Sequence, residues 1–560
     1  MKSGGSASLG SLALVAGLSV VASAVAFSGA GGDDYKFLDP LIDVKEMLSQ
    51  RYVDVPDDQA LQTGAINGMI EVLNDPYTVY VPPADRTEFT KELTGEYVGI
   101  GASVQSIDGW LTIVSPLEDS PAYRAGLMAD DRVVEIDGKS THKIEIEDCI
   151  KLLTGTPGTS VKLTIERKGE RIEIPIVRDN IKTKSVKGFH REEADANRWM
   201  FLIDPVRRIG YVRLTQFTPA CADEMAKALE SAGASEGKLA GLVLDLRGNP
   251  GGLLNEATRI ADMFLREGVI VSTKGRAHPE EITRAEAPGT LPDFPIAVLV
   301  NGQSASASEV LSGALVENNR AIVVGTRSFG KGLVQGVLPL PSGNGGELKI
   351  TEQKYYLPSG RCIQRTDDSA DWGVDPSPGF YVPMTDEETL EMLLARRDQD
   401  IMRQNGAPHD AAASWSDPDW ILSKLKDKQL AAAVKAVQQK VDGGDWKPTG
   451  LAAAEKGAVL GGELQKLRVA RERLARELIR LDRRAEVLEL GGATKGDDSE
   501  DFWSDSLDLT GGALKVFDKD GNLVTTLSIT GRNLERWLLD ADVKKPEPAA
   551  EGAGRDKGGS

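Results

Sequence analysis

Three polar, glycine-rich segments each follow a short apolar run, and this repetition restricts the possible folds more than any other feature. DLRGNPGGLL (Asp245 to Leu254) follows LAGLVL, NGQSASASEV (Asn301 to Val310) follows IAVLV, and GTRSFGKGLVQG (Gly325 to Gly336) follows AIVV. Runs this apolar, alternating with helical patterns (ADEMAKALESAG, LNEATRIADMFL, ASEVLSGALVEN), predict an α/β unit on a largely parallel sheet from about 209 to 340. In such a sheet the segments after the strands gather at one carboxyl edge, where open α/β folds bind ligands. The three segments are therefore expected to converge.

Chemistry at that edge rests on few residue types. The serines of NGQSASASEV open a helix, and Ser306 with Glu309 has the S-x-x-E spacing of a capping box, so Ser304 or Ser306 can serve as a plain helix cap. A serine at a helix start also lies beside free backbone N–H groups, which can receive a developing oxyanion. To attack a carbonyl its hydroxyl needs a base, and no histidine lies in or near these segments. Lysine remains, in Gly330-Lys331-Gly332. Its amine is ordinarily protonated, but burial lowers its pKa, and Ser-Lys is an established variant of the serine-histidine arrangement.

Composition removes other classes. The chain has 560 residues, enough for three or four units, and its formal charge of −19 disfavours nucleic acid as a partner. Cys149, Cys221 and Cys362 are widely spaced, and the four histidines form no HxxxH pair, so neither a disulfide framework nor a metal site is expected and no cofactor is called for.

Along the chain, the apolar and small-residue stretch from Leu9 to Phe27 carries Ala-x-Ala sequences and reads as an export signal, either cleaved or retained as an anchor, within 1–31. Residues 32–94 read as a helical entry region. From 95 to 181 short alternating strands surround one helix, IEIEDCIKLLT, with turns at Asp108-Gly109, Asp137-Gly138 and Lys168-Gly169, the pattern of a small, partly open barrel. The α/β unit is assigned 182–382. Charged helix formers then dominate 383–542, where Leu464, Leu467, Leu474, Leu478, Leu481 and Leu488 keep a broken heptad spacing and ALKVFDKDGNLVTTLSI reads as a hairpin. The glycine of DKDGN is fourth, with no closing glutamate, so a turn is expected there and not a calcium loop. The stretch 543–560 has the composition of a disordered tail.

Seven segments in order resemble the motifs of one family, the carboxy-terminal-processing (tail-specific) proteases: DPYTVYVPP, YVGIGASV, DSPAYRAGLMADDRVVEIDG, DLRGNPGGLL, SASASE, GKGLVQ and YYLPSGRCIQ, between about Asp39 and Tyr381. The resemblance implies a multidomain α+β and α/β fold, with a PDZ-type small barrel, a crotonase-like serine protease core and a mostly helical C-terminal extension. It implies a serine endopeptidase whose nucleophile falls on Ser306 and whose general base falls on Lys331, twenty-five positions later, with Gln335 orienting the lysine. The oxyanion donors fall on the backbone N–H of Ala307 and of a glycine in NPGG, Gly252 in preference to Gly251. Two departures stand out. Glu317 occupies a position where some members carry aspartate, and is treated as peripheral; Cys362 replaces a usual serine and is expected to be a small buried residue.

The segment 95–181 resembles a PDZ domain. Its glycines let backbone N–H groups of Val98, Gly99, Ile100 and Gly101 face a terminal carboxylate, while the next strand edge takes the peptide as an added strand. The implied partners are proteins or peptides with free C-termini. An exported protein of the periplasm or cell envelope follows, anchored in the inner membrane if the N-terminal segment is retained, with the helical regions as a surface for homo-oligomers. A competing reading is a catalytically silent PDZ scaffold; another, an envelope protein assembling through Leu464 to Leu488, accounts only for the C-terminal third.

Overall fold

The computed structural model describes residues 35–192, 195–341, 345–366, 368–402, 414–451, 464, 467, 468, 471, 474, 481, 513–517 and 523–528. The expected export signal, the disordered tail and, of the heptad leucines, Leu478 and Leu488 lie outside these residues. Among the described residues no helix is long and apolar enough to cross a membrane.

The central sheet follows the apolar runs. Ile209–Leu214, Gly241–Asp245, Ile296–Val300 and Ile322–Gly325 lie side by side in parallel, with Val186–Lys187 and Leu202–Asp204 pairing antiparallel to the first of them. Their residues alternate between two cores. Leu242, Leu244, Ile296 and Val298 face the helices Cys221–Ser231, Leu254–Phe264 and Ala307–Glu317, through Met225, Ile260 and Leu311. Val243, Ala297 and Leu299 face the other way, onto Ile421, Leu430, Val434 and Val437. Burial on both faces explains why the strands read as unbroken apolar runs.

That second layer is built from Pro418–Leu425 and Lys428–Val441. The boundary expected between 382 and 383, placed on a rise in charged helix formers, therefore runs through one packed unit. Its local composition misleads because only the apolar side of the second helix, with Leu430, Ala433, Val434 and Val437, meets the sheet, while Lys435 between them is exposed.

A second, antiparallel sheet joins Val79–Val81, Glu347–Tyr356, Val269–Lys274 and Glu281–Arg284, with Leu333–Pro339 also paired to Glu347–Tyr356. Through it the N-terminal region, whose helices Asp39–Arg51 and Asp58–Glu71 bury no residue of their own, is tied to the strand after the lysine segment. Within 95–181 an antiparallel sheet in the order 102–107, 110–116, 132–136, 160–167, 170–177 packs on the helix Ile146–Leu153 around Ile113, Val133, Leu163 and Ile165. Ala102–Ile107 and Glu170–Val177 are its edge strands. Ala513–Phe517 and Leu523–Ser528 pair antiparallel, as the hairpin pattern predicts.

Candidate active site

The three glycine-rich segments meet at the carboxyl edge of the parallel sheet. Of the serines in SASAS, Ser304 and Ser308 are fully buried and spend their hydroxyls on backbone, Ser304 Oγ donating to Leu246 O at 2.9 Å and Ser308 Oγ to Asn249 O at 3.0 Å. Ser306 alone is partly exposed. Its backbone is strained, with φ 56° and ψ −115°, a conformation that a non-glycine residue keeps only when its surroundings enforce it. Gly251 supplies part of that enforcement by close approach: a Cβ there would lie 2.8 Å from Ser306 Cβ and 2.8 Å from Ala305 O. Ser306 thus sits on a sharp turn into the helix Ala307–Glu317.

The two candidate oxyanion donors lie beside it. The amide of Gly251 is occupied, donating to Asn249 Oδ1 at 2.9 Å, whereas those of Gly252 and Ala307 donate to no protein acceptor among the described residues. Gly252 has φ 137° and lies so close to Phe217 O that a Cβ would come within 2.3 Å. Asn249, fully buried, organises this segment: its Nδ2 donates to Leu214 O at 2.9 Å, and its carbonyl accepts from Ala305 N and Ser308 Oγ, both at 3.0 Å. Sequence inspection did not single it out, although it stands inside the NPGG motif.

Upstream of the same loop, Arg247 Nη2 donates to Asp245 Oδ2 and to Asp427 Oδ2, each at 2.8 Å, and Arg396 bonds both aspartates as well, at 3.1 and 3.0 Å. Tyr211 Oη adds a bond to Asp245 Oδ2 at 2.8 Å. Two buried cations and two buried anions therefore compensate one another. Burial alone would raise both carboxyls, but Arg247 and Arg396 hold Asp245 and Asp427 below the ordinary aspartate value.

Glu309, the last residue of SASASE, is fully buried and joins the serine to the lysine segment. Its Oε2 accepts from Ser306 N and Lys331 N, each at 2.8 Å; its Oε1 accepts from Ser328 Oγ and Gly330 N, each at 2.6 Å. Burial pushes its carboxyl upward, against these donors, which favour the charge. The glutamate read from its spacing as a helix-capping partner is thus also the brace of the lysine turn.

The Lys331 amine is held below its ordinary value by burial and by Lys349, while Asp75 and Glu309 pull the other way. Its Nζ lies over the ring of Tyr77, 4.6 Å from the centroid, and among the described residues no hydrogen bond joins it to Ser306. Gln335, expected to orient the lysine, donates instead to Thr351 Oγ1 at 3.3 Å. Tyr355, 1% exposed, bonds its hydroxyl to Lys331 O; burial, then the nearby Glu309, hold its phenol well above the ordinary value. Tyr77 and Tyr355 stand in motifs recognisable in the sequence, yet nothing local marks them as neighbours of Lys331. Glu317 is peripheral, accepting from Ser359 N at 2.8 Å, and Cys362 is a free, partly exposed thiol.

In the PDZ segment, Val98 and Gly99 pair with Asn180 and Asp179 as strand, and Ile100 enters the core, 3% exposed. The amides of Ile100 and Gly101 donate to no protein acceptor among the described residues. Gly101, φ 74°, turns against Ser120, whose Cβ would be 2.5 Å from an added Cβ. Among the described residues no cluster of side chains suited to a metal occurs.

Known proteins resemble this chain in sequence. Residues 208–377 match the model of peptidase family S41, 112–167 that of a PDZ domain, and 29–84 that of the activating protease CtpB N-terminal domain. The chain is 39% identical over 377 residues to a carboxy-terminal-processing protease of Bartonella bacilliformis, covering 65% of this chain and 82% of that protein. It is 33% identical over 338 residues to the carboxy-terminal processing protease CtpA of Bacillus subtilis, covering 60% and 68%. A solved structure described as a photosystem II D1 C-terminal processing protease aligns at 26% identity and a TM-score of 0.36, over 62% of this chain and 91% of that one.

Proposed function

The chain belongs to the carboxy-terminal-processing proteases of peptidase family S41, serine-type peptidases, and carries a PDZ domain; on that premise we propose that it cleaves polypeptides near their C-termini through a Ser306–Lys331 dyad. The observation that carries this reading is the bracing of both residues on Glu309, with Ser306 the only accessible serine of its segment.

In the proposed reaction the neutral Lys331 amine takes the Ser306 proton as Oγ forms a bond to the scissile carbonyl carbon. The negative charge that develops on the carbonyl oxygen is received by the amides of Ala307 and Gly252. Collapse of the tetrahedral adduct breaks the C–N bond, and the departing amine takes the proton from the Lys331 ammonium. An ester on Ser306 remains. Water then attacks it, giving a proton to Lys331, and the second collapse returns that proton to Ser306 Oγ and frees the new carboxyl end. Gln335 acts at one remove, through Thr351.

The substrate's tail is proposed to add as a strand to the edge Ala102–Ile107, its carboxylate on the amides of Ile100 and Gly101, which follow the paired strand residues Val98 and Gly99. Export of the protein, with residues 9–27 as signal or anchor, is part of the same proposal. Reaction with a serine-directed fluorophosphonate tests it: covalent labelling at Ser306 with loss of peptide cleavage is expected, and a chain that binds C-terminal peptides without labelling or turnover would instead be a scaffold.

A further inference from the structure

The turn Asp75–Thr78 lies far from the serine and lysine segments in sequence, yet it forms one wall around the lysine. The strand after it pairs with Glu347–Tyr356, Val79 opposite Lys349 and Val81 opposite Glu347, and Thr351 N donates to Thr78 Oγ1 at 3.1 Å. The turn is closed on Asp75, whose Oδ1 accepts from Tyr77 N at 3.0 Å and whose Oδ2 accepts from Thr78 Oγ1 at 2.6 Å. These bonds fix where the Tyr77 ring stands, and its face lies under Lys331 Nζ.

We propose that Tyr77 is a positioning residue of the dyad, holding the protonated Lys331 amine in a parked place away from Ser306 until the amine loses its proton. The inference rests on the Ser306–Lys331 reading. The face of an aromatic ring attracts an ammonium through its quadrupole and has no comparable pull on a neutral amine. Parking therefore stabilises the form of the lysine that cannot act as a base, and deprotonation both creates the base and releases it. The other groups around the amine divide between the two states. Asp75 and Glu309 favour the cation; Lys349 and burial oppose it. Burial raises the phenols of both Tyr77 and Tyr355.

Two readouts on the full-length protein separate this inference from the dyad itself. Acylation of the Lys331 amine by a water-soluble succinimidyl ester, quantified by peptide mass spectrometry across pH, reports its protonation without turnover; the pH profile of kcat/KM reports the base. Tyr77→Leu is expected to move both midpoints down by about 0.5 to 1 pH unit, whereas Tyr77→Phe, which keeps the ring face, leaves them in place. An unchanged labelling midpoint in folded Tyr77→Leu overturns the inference. If that variant does not fold, Tyr77→Met, which removes the ring face without changing any charge beside the amine, takes its place: a lower labelling midpoint supports the inference and an unchanged one overturns it. A labelling midpoint that moves while the activity profile stays leaves Tyr77 as the parking site and removes Lys331 from the role of base.

Discussion

Ser306 and Lys331 donate their backbone N–H groups to the same carboxylate oxygen, Glu309 Oε2, each at 2.8 Å. The relative placement of the serine and lysine backbones is thereby set by one buried side chain, whose other oxygen holds Ser328 and Gly330.

Replacing Glu309 with Gln tests this brace. Glutamine offers one acceptor oxygen and turns an NH2 group toward N–H donors, so folding stability should fall by about 1–3 kcal/mol in urea titration. kcat/KM should fall at least about tenfold, in kcat more than in KM, because geometry and not substrate contact is lost. Wild-type kcat/KM in Glu309→Gln would show that the shared oxygen does not matter.

Among the serines, Ser306→Ala should abolish cleavage with folding intact. Ser304→Ala and Ser308→Ala each remove a buried hydrogen bond and should cost about 1 kcal/mol of stability, with most activity retained. Peptide cleavage and thermal melting of the three variants decide the assignment; a Ser308→Ala protein as inactive as Ser306→Ala contradicts it.

The lysine's charge state gives a signed pH prediction. A base must be neutral, and burial with Lys349 holds the Lys331 amine below its ordinary value, so kcat/KM should rise with pH and level off at a midpoint below that of a free lysine. Lys331→Arg, which cannot deprotonate, should be as inactive as Lys331→Ala. Arginine supporting near-normal turnover would refute the general-base role.

The buried aspartate–arginine network should be required for stability. Asp427→Ala leaves Arg247 and Arg396 short of a counter-charge and should cost about 3–5 kcal/mol. The carboxyls of Asp245 and Asp427 lie below the ordinary value, so the stability they contribute is present above about pH 4 and is lost as pH falls through their folded values. Acid titration followed by circular dichroism, in wild type and Asp427→Ala, reads both effects.

Tail recognition is tested by amidation. A carboxylate on backbone donors makes charge-assisted bonds of about 1.5–3 kcal/mol, so an amidated peptide should lose about 10- to 100-fold in kcat/KM. Equal cleavage of free and amidated peptides would remove the amides of Ile100 and Gly101 from recognition.

Sequence alone determined the features that repeat locally: apolar runs followed by polar glycine-rich turns, the period-2 strands of the PDZ segment, and the spacing that pairs Ser306 with Glu309. These are legible because the backbone's own periodicities of strand and helix impose them on neighbouring residues. Tertiary structure decided the rest. Only packing makes Ser304 and Ser308 inaccessible and leaves Ser306 open, and only the fold brings the Asn249 carbonyl to Ala305 N and Ser308 Oγ. Tyr77 reaches Lys331 through strand pairing with Glu347–Tyr356, and Asp427 reaches Asp245 and Arg247 through a helix that composition assigned to a separate extension. Such contacts join residues far apart in the chain. Their partners carry no spacing relation to one another, so no local pattern records them.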